Sequence, residues 1–157
     1  MSRAIRRGIE KWKVCATVAG TSPTRAELTS GVDITKSIAA ISGFSLKNSP
    51  VTTPDMDSTF DKNVPGIDSV DDSSLNMYDE MLTGAGSDPS RAALAKGLEF
   101  VIVRMPYGDV PTKRCETWRL TSTGVNDQID LSAAGQYQVG FAIREVPNLN
   151  GVVPAAT

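Results

Sequence analysis

The side chains of this chain best suited to chemistry are carboxylates. Asp55, Asp57, Asp61, Asp68, Asp71 and Asp72 stand close together, with Lys62 the one cation between them. Paired carboxyl groups act as acid and base in glycoside hydrolysis when rigid elements hold them beside a sugar cleft. Here the acids fall in a stretch that reads as surface loop, and only nine aromatic residues serve the whole chain. Oxygen-rich loops also bind calcium. The run Asp55-Met56-Asp57-Ser58-Thr59-Phe60-Asp61 begins with oxygen side chains at alternate positions, but it lacks the central glycine and terminal glutamate of the helical calcium loop. No catalytic, cofactor-binding or metal site is expected from these residues.

The remaining inventory narrows the chemistry further. Histidine is absent, which removes the usual general base and the commonest nitrogen ligand for metals. Cys15 and Cys115 are too few for a zinc site of the common Cys/His kinds. They read as two small buried side chains in a reducing compartment; whether they pair depends on whether their strands are neighbours. Gly84 and Gly86 lack the spacing and the lysine of a phosphate-cradling loop. A formal net charge of −2 is far from the basic excess of a dedicated nucleic-acid binder. No apolar run of secretory type follows the basic first residues, and no stretch approaches the ~20 apolar residues of a membrane span. The expectation is a soluble single domain over residues 1–157, not an enzyme.

Periodicity names the elements that position these side chains. Trp12, Val14, Ala16 and Val18 alternate as a half-buried strand, ended by Gly20 and Ser22–Pro23. Arg25 to Thr29 reads as a short second strand. Ile38 to Phe44 reads as a strand, residues 45–73 as a long acidic loop with a Pro65–Gly66 turn, and Leu75 to Tyr78 as the next strand. Too little hydrocarbon lies between Asp55 and Asp72 for a core, so this region belongs on the surface. A loop of that length in a compact domain usually has a use. After the connector Asp79–Ser87, Asp88 as N-cap, Pro89 at the first helical position, Lys96 in the last turn and Gly97 beyond the end predict a helix. So short a helix must dock Leu94 on a sheet. Leu98 to Val103 is a nearly unbroken apolar run, a strand covered on both faces. Pro106 to Pro111 is a turn. Arg114 to Thr121 is a strand with charges on both faces, its outer side meeting solvent or another subunit. Gly124 to Asp130 is a loop. Tyr137, Val139, Phe141 and Ile143 alternate cleanly as a core strand, and residues 147–157 form an extended arm. The sum is a mainly β chain, a β-sandwich or barrel with one short helix, a long loop and extended termini. Its expected core is Trp12, Val14, Val18, Ile41, Phe44, Phe100, Ile102, Trp118, Leu120, Val139, Phe141 and Ile143.

The ordered set Ile41-Ser42-Gly43-Phe44, Thr53-Pro54-Asp55, Val64-Pro65-Gly66 and Leu75-Asn76-Met77-Tyr78 resembles the tail tube (major tail) proteins of long-tailed bacteriophages, in particular those of actinobacterial phages. The likeness runs from about Arg25 to Pro147. It implies a subunit that closes into hexameric rings by pairing sheets edge to edge, with an inner β-barrel around a channel. Stacked rings would form the tube through which DNA is delivered. The implied partners are other copies of this chain, a tape-measure protein and a tail terminator. DNA would pass through the lumen without specific binding, no membrane is involved, and the location is the virion tail, assembled in the host cytoplasm. The strongly basic first thirteen residues depart from the family pattern.

Charge is divided along the chain. Arg3, Arg6, Arg7, Lys11 and Lys13 face Glu10 alone in residues 1–13, whereas nine acids between Asp55 and Asp88 face Lys62 alone. Opposite patches on one subunit favour head-to-tail contacts that close a ring when the rotation permits, and an acidic lumen does not grip phosphate. The candidate inter-subunit or lumen contacts are therefore Arg3, Arg6, Arg7, Lys11, Asp55, Asp57, Asp61, Lys62, Asp68, Asp71 and Asp72. The basic arm 1–10, the loop 45–73 and the arm 147–157 are the candidates for contact between rings. The alternatives are another virion part, such as a tail terminator or head decoration protein, and a monomeric β-sandwich binding module; a hydrolase is the third class.

Overall fold

The structure is a computed structural model that describes Arg3, residues 5–80 and residues 88–156. Most of the expected connector Asp79–Ser87, with Gly84 and Gly86, lies outside the described residues. Among the described residues the strands are β1 (Lys11–Cys15), β2 (Val32–Asp33), β3 (Ile38–Ser42), β4 (Leu46–Thr53), β5 (Lys62–Val70), β6 (Ser73–Tyr78), β7 (Glu99–Met105), β8 (Arg114–Gln128), β9 (Gln136–Ile143) and β10 (Asn148–Val152). Two short helices accompany them, α1 (Arg25–Ser30) and α2 (Pro89–Ala93). Eight strands form one sheet in the order β2-β1-β7-β8-β9-β6-β3, with β10 also against β8, while β4 and β5 form a separate hairpin.

β8 is the spine. Its first part pairs with β7 and β10, and from Leu120 to Gln128 it pairs with β9. Ser122 faces Phe141 but Gly124 faces Gly140, which leaves Thr123 as the extra residue of a bulge. Such a bulge bends the strand and increases its twist, and the sheet folds over on itself here. Phe44 then meets Trp12, Trp118 and Phe141 edge to face, at ring-centroid distances of 5.3, 5.4 and 5.8 Å. Trp12, Trp118 and Phe141 belong to one core, against which the partly buried Phe44 packs and which also holds Val14, Ile34, Leu75, Met77, Leu94, Phe100, Ile102, Leu120, Tyr137 and Val139. Each such side chain, fully buried, contributes roughly 1.5–3 kcal/mol. The result is a sandwich.

A second apolar layer lies on the outer face of β1, β7 and β8: Cys15, Val18, Leu28, Val101, Val103, Met105, Cys115 and Val153. It explains why β7 lacks alternation, since Phe100 and Ile102 face one core while Val101 and Val103 face the other. Both cysteines are buried and free. Burial raises both thiols, that of Cys115 to about 11.

Several expectations are corrected. β1 stops at Cys15, so Val18 joins the second layer rather than the face of Trp12. Arg25–Thr29 is helical, not a strand. Glu27 N–H donates to Thr24 Oγ1 at 3.3 Å and Thr24 N–H donates to Glu27 Oε2 at 2.7 Å, a capping box that starts α1. α2 begins as expected, with Ser90 N–H donating to Asp88 Oδ1 at 2.9 Å, but ends at Ala93 rather than near Lys96. Gly97 does adopt a positive φ of 83°. Ile41 is 47% exposed because β3 is an edge strand, and Ile143 is only partly buried. The outer side of Arg114–Thr121 is covered, with Thr117 buried and Arg119 donating to the carbonyls of Val18 and Gly20 at 2.9 and 3.1 Å. Gly124–Asp130 is not a loop, since β8 continues to Gln128. The 147–157 arm is docked in its own subunit. β10 pairs with β8, and the Arg25 guanidinium donates to the carbonyls of Pro154 at 2.6 Å and Ala155 at 3.2 Å.

Candidate assembly surfaces

Residues 45–73 are a β-hairpin, not a loop. The register runs from Leu46 opposite Val70 to Thr53 opposite Lys62. Two prolines hide this pattern in the sequence, because Pro cannot donate to a ladder. Ser49 faces Ile67 and Val51 faces Val64, so Pro50 stands across from Pro65 and Gly66. That pair is a bulge, not the expected turn. The Asn48 side-chain amide replaces the missing ladder bonds, donating to Gly66 O and accepting from Gly66 N–H, both at 3.0 Å. Glycine is required here because a Cβ at position 66 would lie 2.0 Å from Ser49 O.

The hairpin has two unlike faces. Alternation from the register puts Val51, Val64 and Ile67 on one side, 53%, 45% and 81% exposed. The other side carries Asn48, Thr52, Asn63 and Asp68, which bond one another: Asn48 Nδ2 donates to Asp68 Oδ1 at 2.6 Å and Thr52 Oγ1 to Asn63 Oδ1 at 3.0 Å. At the base, Gly43 and Phe44 both have positive φ, 79° and 56°. Phe44 is held in this unfavourable conformation by its ring contacts in the core. Isolated two-stranded hairpins are at best marginally stable in water, and this one leaves its apolar face uncovered.

The candidate acids do not converge. Asp55, Asp57 and Asp61 are at the hairpin tip with Lys62, whose ammonium bonds Asp55 at 3.0 Å. Asp68 is on the polar face of β5. Asp71 pairs with Lys47 at the base, and Asp72 lies there beside Gly43. Arg3, Arg6 and Arg7 are exposed, while Lys11 is half-buried on β1. Among the described residues no three carboxylates or cysteines gather as a metal site would require.

The sheet presents a second surface. Among the described residues β3 pairs only with β6, and β8 beyond Ser122 pairs only with β9, Ser122 itself exchanging backbone hydrogen bonds with Gly97 and Leu98 at 2.9 and 3.0 Å. β3, β6, β9 and the distal part of β8 thus form a four-stranded antiparallel sheet with two open edges. An even number of antiparallel strands makes the two edge strands run in opposite directions. β3 of one copy beside β8 of the next therefore continues the antiparallel pattern. The registers also place the hairpin base at the end of Ser42, Ser73 and Phe141, and the β8–β9 turn at the opposite end, near Ile38, Tyr78 and Gln136. In that turn Ile129 and Leu131 are 91% and 103% exposed.

A groove of about 900 Å³ runs along β3, floored by Trp12 and Phe44 and rimmed by Arg6, Arg7 and Lys36. Its inner end is an ionic network. Arg104 donates to Glu10 at 2.6 and 3.3 Å and to Glu116 at 3.1 and 3.0 Å. Trp12 Nε1 donates to Glu10 at 2.8 Å and Trp118 Nε1 to Glu116 at 3.3 Å. Burial alone would raise the Glu10 carboxyl, but the hydrogen bond and charge of Arg104 outweigh it and hold the group below its ordinary value. Such a network is secure because every charge is paired. The sequence marks Glu10 only as the lone acid of a basic arm.

Beside α2, Arg91 stacks over the Tyr137 ring at 5.2 Å and donates to Asp127 at 2.6 and 3.2 Å. Asp88 Oδ2 and Tyr137 Oη are buried without a hydrogen-bond partner among the described residues. Burial, with Asp88 and Asp79 nearby, pushes the phenol above its usual range. The phenol stays protonated and the arginine charged, so this cluster ties α2 to β8 and β9 without offering a nucleophile.

Comparisons with known proteins bear on these surfaces. No curated protein matches the sequence. Among solved structures, a chain of the anti-feeding prophage baseplate, from a six-fold symmetrised cryo-EM structure, is similar with a TM-score of 0.58 at 10% identity, covering 92% of this chain and 95% of that one. A chain of the native gene transfer agent virion gives 0.48 at 10% identity, covering 88% and 95%. A chain of the empty gene transfer agent particle's tail gives 0.49 at 10% identity, covering 88% and 94%. The family model for phage tail tube proteins matches residues 1–156. That match takes in the sandwich, both open sheet edges and the hairpin alike, and the chain belongs to the phage tail tube protein family.

Proposed function

We propose that this chain is the repeating subunit of stacked hexameric rings that form a tail tube and deliver DNA. The observation that carries the reading is the four-stranded sheet with two open, oppositely directed edges. Joined β3 to β8 around six copies, it becomes a closed barrel with no edge left to aggregate. A barrel of roughly two dozen strands is wide enough to keep an open bore. The family supports the ring, and so does a fold shared with a chain of a six-fold particle. The hairpin, with its bare apolar face, serves contact between rings. The acids among the candidate contacts either meet a neighbouring copy or face the bore, where they leave phosphate ungripped. The tube ends meet other tail proteins, such as a tape measure and a terminator. The setting is a long-tailed virion built in the host cytoplasm, and the ordered motifs favour a phage of actinobacteria. The role is structural, not catalytic.

Negative-stain electron microscopy of concentrated protein, with light scattering on the same sample, tests this. Long hollow tubes with an axial repeat are the expected result. Single rings that never stack would favour a terminator-like part, and a monomer at every concentration and salt level would overturn the reading.

A further inference from the structure

We infer that the uncharged polar face of the β3–β6–β9–β8 sheet is the wall that DNA meets in transit, and that the acids of this chain are not part of it. Resting on the tube-subunit reading, this names the bore-facing residues. One face of that sheet packs on the core through Leu75, Met77, Tyr137 and Val139, so a closed barrel turns the other face inward. The registers set that face out in rows. Asn76, Gln138 and Asn126 stand side by side on β6, β9 and β8. The next row toward the β8–β9 turn is Tyr78, Gln136 and Gln128, and toward the hairpin base it is Ser74, Gly140 and Gly124. Gln138 Nε2 donates to Ser74 Oγ at 3.4 Å across the face. β3 adds Ala40 beside Asn76 and Ser42 beside Ser74. No carboxylate, ammonium or guanidinium group stands in these rows, in a chain with 16 Lys and Arg and 18 Asp and Glu.

Asp127 lies between Asn126 and Gln128 in sequence, yet it points to the core side, where Arg91 holds it at 2.6 and 3.2 Å. Asp71 and Asp72 follow the end of β5 at Val70, and Asp130 lies in the β8–β9 turn. These acids stand at the ends of the sheet, not along it. An amide row grips DNA weakly for two reasons. It neutralises no phosphate, so contact releases no counterion and gains nothing from low salt. Each amide already bonds water, so exchanging that water for a phosphate oxygen gains little. Nor does the face suit a docked protein, since its rows hold no aliphatic side chain larger than alanine to form an interface core.

Thiol labelling tests the wall. Asn126→Cys and Gln138→Cys are made as separate full-length proteins, the native thiols being buried, with Thr29→Cys on α1 as the control outside the barrel. A maleimide on a large polyethylene glycol chain should label all three as free subunits, but only Thr29→Cys in tubes. A cationic and an anionic methanethiosulfonate, both small enough to enter, should react with Asn126→Cys tubes at low salt in the ratio seen with free subunits, within about twofold. Adding Gln138→Asp to that chain should shift the ratio toward the cation by about tenfold, and high salt should abolish the shift. Tubes that take the bulky reagent at both positions 126 and 138 overturn the uncharged wall while leaving the tube reading intact. So does a ratio that favours the cation about tenfold in tubes without the added carboxylate. Native protein that forms no tubes in micrographs overturns the tube reading itself, and the wall with it.

Discussion

The sandwich and the β4–β5 hairpin are both antiparallel β structure from one chain, yet they treat burial in opposite ways. In the sandwich, sequence-remote strands meet and almost every apolar side chain on β7, β8 and β9 is covered. In the hairpin the strands are adjacent in sequence, Asn48, Thr52, Asn63 and Asp68 bond one another in pairs on the polar face, and Val51, Val64 and Ile67 stay exposed. A monomer is stabilised by the first arrangement and gains almost nothing from the second. The difference teaches where stability ends and assembly begins in this subunit.

Substitutions should separate the two regions, and the largest effect lies in the sandwich. Trp118 is 1% exposed and its ring meets Phe44, so Trp118→Ala should lower unfolding free energy toward the upper end of ~3–5 kcal/mol in urea titration. Arg104→Ala should cost about 3 kcal/mol, because it removes the close cation of Glu10 and leaves Glu116 with Arg114 alone, at 3.0 Å. This network also sets a pH dependence. The folded-state value of Glu10 lies below the ordinary 4.5, so its contribution is present above that pH and is lost as pH falls through the depressed folded value. The acid limb of a stability profile should therefore flatten in Arg104→Ala. The smallest effect on stability should come from Gly66→Ala. The new methyl would collide with Ser49 O and break the hairpin register, yet global unfolding should shift by less than about 0.5 kcal/mol. Hydrogen exchange should show hairpin protection lost and sandwich protection kept. A Gly66→Ala protein that unfolds as readily as Trp118→Ala would erase the proposed division.

Much of the sandwich was legible because its signals are local. β9 alternates without interruption, the continuous apolar run of β7 announced cover on both faces, and Asp88–Pro89 marked the start of α2. The misses have physical causes. Thr24 and Glu27 spelled a capping box, but Arg25–Thr29 has too little apolar periodicity to stand out as a helix. Val18 and Ile41 fit an alternating pattern whose strand either ended early or lay at a sheet edge. β10 and the distal part of β8 are polar and glycine-bearing, and they are strands only because a partner strand lies beside them. The hairpin was hidden by two prolines facing each other at a bulge, which Asn48 repairs through its side chain. The candidate contacts were legible as charges but not as places. Residue type showed six acids, and only the register could spread them over tip, face and base.

The pairing of β1 with β7 also orders events in time. Glu10 and Arg104 are separated by 94 residues, whereas the β4–β5 hairpin closes on itself within microseconds of its last residue being free. Translation at ~5–20 residues per second puts roughly two to seven seconds between the synthesis of Val70 and that of Met105. During that interval a nascent chain can hold its projecting hairpin while β1 still lacks its partner strand, and the groove beside β3 has no opposite wall. The groove and the open edge of β8 exist only after the chain's own sheet is complete. In the proposed ring, a half-made chain would therefore offer no finished edge for a neighbour to pair with.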